Sequence, residues 1–282
     1  MIEVLSPGAL TTVQDLGRAG WAHLGVPPSG AADSRSLRAA NRVVGNPDGA
    51  AALEATIRGP KLRFAAPAIV ALAGAPVGAR VDGRPVTMGE AVAMQAGEAL
   101  DVGVARAGVR TYLAVRGGID TELVLGSAAT DVLSGLGPPV LTAGTRLSVG
   151  ALSNPAAEPG PAPAAFPAGD PVLRVLPGTR DDRFARDALA ILCGESWEVS
   201  PASNRVGVRL SGPELRPVDD TELLSEGLVT GALQVPPSGR PILMLTDHPT
   251  TGGYPVLAVV VGDDLPLAGQ LRPGGRVRFR AA

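Results

Sequence analysis

The stretch Thr246-Asp247-His248-Pro249-Thr250-Thr251-Gly252-Gly253-Tyr254-Pro255 gathers an acid, an imidazole, hydroxyls, a phenol and a glycine pair. Asp247 and His248 could act as an acid/base pair, because imidazole titrates near neutral pH and a carboxylate can orient it. Neighbours on an extended strand face opposite ways, so both reach one place only if the chain bends there. Gly252 and Gly253 would let backbone approach a small substrate, with Thr250 and Thr251 lining it and Tyr254 donating a hydrogen bond. The plainer alternative is a tight turn whose Thr and Asp side chains bond their own backbone.

Something rigid must hold these groups. Pro241-Ile242-Leu243-Met244-Leu245 and Val256-Leu257-Ala258-Val259-Val260-Val261 are short aliphatic runs that read as buried strands, with the polar decapeptide as the loop between them. Further strands are expected at Ile69–Leu72, Ala79–Val81, Val86–Met88, Thr111–Val115, Arg205–Leu210, Leu228–Val235 and Arg276–Arg280, with Asp82-Gly83 as a hairpin turn. Asp33 to Gly45 reads as a capped helix with Leu37, Ala40 and Val44 on one face, and Asp182 to Gly194 as a second helix holding Cys193 as an inert, buried thiol. Residues 153–171 are rich in Pro, Ala and Gly, the composition of a linker, and divide the chain into an N-lobe of about 1–152 and a C-lobe of about 172–282. Val26-Pro27-Pro28-Ser29-Gly30 recurs as Val235-Pro236-Pro237-Ser238-Gly239, a weak hint of two related half-barrels. Gln234, beside the second copy, could line the same mouth as the polar loop.

Composition narrows the chemistry. With 282 residues the chain can bury a real core, which at 45% hydrophobic but only 3% aromatic residues must be filled by Val, Leu, Ala and Ile. A net charge of −2 with interspersed signs presents no basic face for nucleic acid or an anionic membrane. No apolar run approaches the ~18 residues of a spanning helix and the start lacks a secretory pattern, so a soluble, cytoplasmic protein is expected. One cysteine excludes an internal disulfide, and His23 and His248, the only histidines, lie in no metal-ligand spacing. Lys61, the only lysine, follows no glycine-rich phosphate cradle, and no Met-Lys-Met sequence is present to carry covalent biotin.

Several separated motifs now carry a resemblance: Thr11-Thr12-Val13-Gln14-Asp15-Leu16-Gly17-Arg18, Gly25 to Asp33, Ala40-Asn41-Arg42-Val43-Val44-Gly45-Asn46, Leu53-Glu54-Ala55-Thr56, Gly117-Gly118-Ile119, Ser203-Asn204-Arg205-Val206-Gly207, Ser225-Glu226-Gly227 and Thr250 to Pro255. In order and over nearly the whole chain they resemble the allophanate hydrolase subunit 2 family, which includes the C subunits of 5-oxoprolinases and KipA-type proteins and is similar to part of the carboxyltransferase region of urea carboxylase. The resemblance implies a mainly β, cyclophilin-like barrel architecture in two lobes with a few short helices. It also implies a B-type partner (allophanate hydrolase subunit 1, KipI-like), together with an A-type (LamB/YcsF-like) subunit that finishes ring opening.

The activity implied is ATP-dependent activation of 5-oxo-L-proline for cleavage to L-glutamate, with ATP shared with the partner and Mg as its counter-ion. Carboxyl transfer in a biotin-dependent urea amidolyase and a KipA-like regulatory role stand as alternatives. In this setting Arg205 is an anion clamp, since its planar fork can hold a carboxylate or phosphate by two parallel bonds. Ser29 and Asn204 join the substrate-binding group. Asp15 and Arg18 are expected as an internal pair, Asn41 as a loop anchor on a helix and Glu54 as a capped carboxylate. Two positions depart from the family pattern: Pro249 stands where Gln is common, and Ala128 follows Ser127 where an Arg is frequent.

Overall fold

The structure, a computed structural model, describes residues 1–151, 169–218 and 223–282. The expected linker therefore lies mostly outside the described residues. The chain forms two compact units, and the boundary differs from the expected lobes: residues 19–32 group with the C-terminal residues, while 1–18 and 33–151 form the other unit.

The first unit contains two antiparallel sheets. One runs Leu10–Gln14, Ala52–Thr56, Arg110–Val115, Ala68–Gly74, Val92–Met94; the other has seven strands centred on Ile2–Ser6 and Lys61–Phe64. In Lys61–Phe64, Leu62 and Phe64 are buried while Lys61 and Arg63 face solvent, the alternation expected of a half-covered sheet. Arg110–Val115 is buried at every position because it is central in its sheet and has the helix Ser34–Val43 packed on it. That helix starts where Asp33 accepts a hydrogen bond from Ser36 N at 3.0 Å, and buries Leu37, Ala40 and Val43.

A buried polar network ties helix to sheet. Tyr112 Oη donates to Glu54 Oε2 at 2.6 Å and accepts from Asp33 N at 2.8 Å, while Arg110 Nε donates to Glu54 Oε1 at 3.2 Å. Burial, then the charge of Glu54, hold the Tyr112 hydroxyl well above its usual pKa, so it stays a donor.

The second unit is a closed barrel ordered Val172–Pro177, Val256–Val260, Ala232–Gln234, Ile242–Met244, Gly207–Ser211, Ser196–Val199, Arg276–Ala281. It closes through a parallel pairing of its first and last strands. Val277 and Phe279 point into its core between exposed arginines, and Trp197 fills the centre with Nε1 donating to Leu192 O at 3.0 Å. Gly212 has no room for a Cβ because the Trp197 ring would lie 2.6 Å away. The architecture is mainly β with short helices.

Local expectations fare unevenly. Asp82 and Gly83 have φ of 44° and 84°, both positive as a type I′ hairpin turn requires. Val86–Met88 is no strand; Met88 instead offers its sulfur to Val77 N at 3.2 Å. The expected helix from Asp182 starts only at Ala188, because extended Phe184 is drawn into a bridge with Pro217 and buried. Cys193 is half-buried rather than buried, with its pKa raised by burial. The five-residue repeat does not mark two halves: both copies belong to the barrel unit, with Ser29 buried and Ser238 exposed.

Removing Glu54 would strand Arg110 inside the sheet. Glu54→Ala should cost about 3–5 kcal/mol in denaturant unfolding, whereas a loss under about 1 kcal/mol would show that Arg110 finds other solvation.

Candidate functional site

Two barrel strands, Ile242–Met244 and Val256–Val260, hold the polar loop. Its base is closed by Asp247, which has no solvent exposure and is gripped by the side chains of Arg205 and Ser29. Arg205 Nε and Nη2 approach its two carboxylate oxygens at 2.9 and 3.0 Å, and Ser29 Oγ donates to Oδ1 at 2.9 Å. The same guanidinium donates to Gly30 O at 2.6 Å and Thr246 Oγ1 at 3.2 Å. Ser29 N donates to Thr246 O at 3.0 Å, so segment 19–32 is stitched to the loop by backbone and side chain alike.

Arg205 is 1% exposed and bonded bidentately. Its fork is committed to Asp247, which makes it the internal counter-ion of the loop rather than the open anion clamp expected from its motif. Ser29 likewise points its hydroxyl inward. Its φ of 50°, in the left-handed region, is held by these bonds.

Asp247 is thus no partner for the imidazole beside it. His248 is 2% exposed, and its Nδ1 lies 2.7 Å from Pro249 O. A carbonyl only accepts, so Nδ1 carries the proton in the neutral ring and Nε2 holds the lone pair. Burial lowers the His248 pKa, opposed by the Pro249 carbonyl and the Asp247 charge.

Beyond Pro249 the loop becomes a two-stranded ribbon. Thr251–Gly252 pairs antiparallel with Glu226–Gly227, and Leu228 N donates to Thr250 O at 2.9 Å. Gln234 braces it from the barrel: it is 3% exposed, and its Nε2 donates to Tyr254 O at 2.9 Å. A Cβ on Gly252 would lie 2.6 Å from that amide, which explains the glycine. Gln234 thereby supports the loop from behind. Thr251, Gly253 and Tyr254 are exposed, with Tyr254 at 48%. Arg180 and Glu226 form an ion pair over the ribbon, and Arg180 holds the Glu226 carboxyl below its usual pKa.

The remaining expected residues are set elsewhere. Asn204 turns its Oδ1 back to Val206 N at 2.9 Å and Gly207 N at 3.3 Å, a local turn rather than a free amide. In the first unit, Asp15 and Arg18 are not paired with each other. Asp15 accepts from Gly17 N, Ser127 Oγ and Ala128 N at 2.6–2.7 Å, while Arg18 donates to the carbonyls of Val124 and Ala129. Ala128 is buried, its N–H engaged by Asp15. Asn41 anchors a loop from its helix, donating to Ala50 O at 2.8 Å and accepting from Asn46 at 3.1 Å. Among the described residues no group of three His, Cys, Asp or Glu side chains could hold a metal. Arg205 and Arg180 each have a carboxylate partner, so neither guanidinium is an open anion site.

Arg180 did not stand out in the sequence, and Glu226 did so only within a motif. Nothing in their spacing links two charges 46 residues apart.

Comparison with known proteins starts from the family profile for the carboxyltransferase domain, subdomain A and B, which matches residues 24–281. The chain belongs to this carboxyltransferase domain family. It is 37% identical to the C subunit of 5-oxoprolinase from Escherichia coli, over 99% of this chain and 90% of that protein. Identity to the C subunit of 5-oxoprolinase from Haemophilus influenzae is 34%, over 100% of this chain and 91% of that protein. Urea amidolyase of Lachancea kluyveri is 34% identical over 98% of this chain, which spans only 17% of the enzyme. Among solved structures, TTHA0988 superimposes with a TM-score of 0.89 at 39% identity, and urea amidolyase of Kluyveromyces lactis with 0.91 at 34%. Each comparison covers 99% of this carboxyltransferase domain, which spans 55% and 18% of those two chains respectively.

Two outcomes follow from the buried pair and the imidazole. Asp247→Ala should cost about 3–5 kcal/mol in denaturant unfolding by stranding Arg205, whereas Glu98→Gln, which breaks an ion pair with a largely exposed Arg84, should cost under about 1 kcal/mol; equal losses would refute the distinction. For His248 the folded-state pKa lies below the unfolded value of about 6.5, so the unfolded chain takes up the proton first and stability is lost as pH falls through that window. Between pH 7.5 and 5.5 the wild type should lose more unfolding free energy than His248→Gln, and parallel losses would show that the ring does not contribute.

Proposed function

We propose that this chain is the C subunit of an ATP-dependent 5-oxoprolinase, working beside a B-type subunit to activate the lactam of 5-oxo-L-proline, while an A-type subunit finishes its opening to L-glutamate. The observation that carries the reading is the identity of 37% and 34% to two 5-oxoprolinase C subunits over about nine-tenths of each.

Physical chemistry supports it. A lactam is unreactive because its nitrogen donates into the carbonyl, and phosphorylating the carbonyl oxygen removes that resonance while creating a leaving group. Such a site must hold a small carboxylate, polarise an amide and neutralise phosphate as it moves. The loop carries hydroxyls, a phenol and an imidazole of suitable scale. The triphosphate charge, with Mg as its counter-ion, is then met largely by the partner subunit, so the isolated chain has little activity.

Carboxyl transfer is the second reading, supported by the fit to the urea amidolyase of Kluyveromyces lactis. It would require biotin delivered on another chain or domain.

The test is ATP turnover by this chain with its B-type partner, with and without 5-oxo-L-proline. Stimulation is expected, and Tyr254→Phe should raise KM by roughly threefold to tenfold, the loss of one substrate hydrogen bond. A complex that forms but shows no stimulation would refute the reading and favour carboxyl transfer or regulation.

A further inference from the structure

We propose that His248 is the proton acceptor of the reaction, and that the Pro249 carbonyl rather than Asp247 selects which ring nitrogen accepts. The role deepens the lactam-activation reading and rests on it.

The placement of the proton comes from geometry. Nδ1 sits 2.7 Å from Pro249 O, which can only accept. Pro249 follows directly, and its ring restricts the backbone of His248 before it, which limits where the imidazole can be carried. Asp247, the residue that adjacency would nominate as orienter, has both oxygens engaged by Arg205 and Ser29. Nε2 makes no hydrogen bond to the described residues. His248 as a whole is 2% exposed. Burial favours the uncharged ring, which leaves this lone pair available.

That arrangement matches a need of the chemistry. When the lactam oxygen attacks the terminal phosphorus of a nucleoside triphosphate, an O–P bond forms and the bond to the departing diphosphate breaks. The N–H electron pair becomes the π bond of C=N, and the proton passes to Nε2. The imidazolium so formed keeps its Nδ1–H on Pro249 O. His248 is then a catalytic residue in contact with the lactam nitrogen, and Pro249 is a positioning residue.

Because the chain has two histidines, long-range ¹H–¹⁵N spectra of histidine-labelled protein resolve the tautomer directly, with His23→Asn giving the assignment. At pH 7 we expect His248 protonated on Nδ1. Adding 5-oxo-L-proline should shift Nε2, and N-methyl-5-oxoproline, which lacks the N–H, should not. An Nε2-protonated ring, or equal shifts from both lactams, overturns the proposal. In the complex with the B-type subunit, His248→Gln should lower kcat by roughly 10²–10⁴-fold with little change in KM, and an unchanged kcat overturns the base role. A wild-type complex that 5-oxo-L-proline does not stimulate overturns the lactam reading and the base role with it, whereas a stimulated complex with Nε2-protonated His248 overturns this proposal alone.

Discussion

The loop depends on one enclosed ion pair. Arg205 and Asp247 are 1% and 0% exposed, and desolvating two charges is tolerated only when geometry is good and their remaining donors and acceptors are met. Here the bidentate contact, Ser29 Oγ, Gly30 O and Thr246 Oγ1 meet them. Each of those groups is thereby placed: Ser29 in a left-handed conformation, Thr246 at the end of a barrel strand, and Asp247 facing inward. A single unmet charge would undo all three.

This arrangement separates the groups that hold from the groups that could react. The carboxylate and guanidinium that look most reactive in the chain are committed to each other, and Gln234 is committed to the loop backbone. What they hold is outward-facing: Thr251, Gly253 and Tyr254, with His248 buried beneath them in the chain's own loop. Fixed inner partners keep such a surface in one conformation, which matters more to catalysis than the number of polar residues on it.

The parts of this plan that are local were legible in the sequence. Aliphatic runs around Leu243 and Val256 announced strands, Asp82-Gly83 announced its turn, and Asp33 announced a helix cap. The loop between the two strands was equally plain. Partners across the fold were not legible. Asp247 stands beside His248 in the chain, and adjacency suggested a pair, yet its carboxylate is satisfied by residues 42 and 218 positions away. Asp15 and Arg18 likewise share a motif but not a bond. Helical spacing after Asp182 was real but lost to the burial of Phe184, a tertiary gain that local propensity does not register. Motif resemblance drew attention to these residues without saying which way they face.

Membership of residues 19–32 in the barrel unit also bears on the order of events during synthesis. Ser29 leaves the ribosome 218 residues before Asp247. At translation speeds of roughly 5–20 residues per second it waits about 10–45 s for the carboxylate that will hold it. All seven barrel strands come from residues 172–281, yet the ion pair beside them takes two of its partners from residues 29 and 30. A polypeptide begun at residue 169 would contain every barrel strand and both members of the ion pair but neither Ser29 nor Gly30, leaving one donor and one acceptor of that pair to be met by something else.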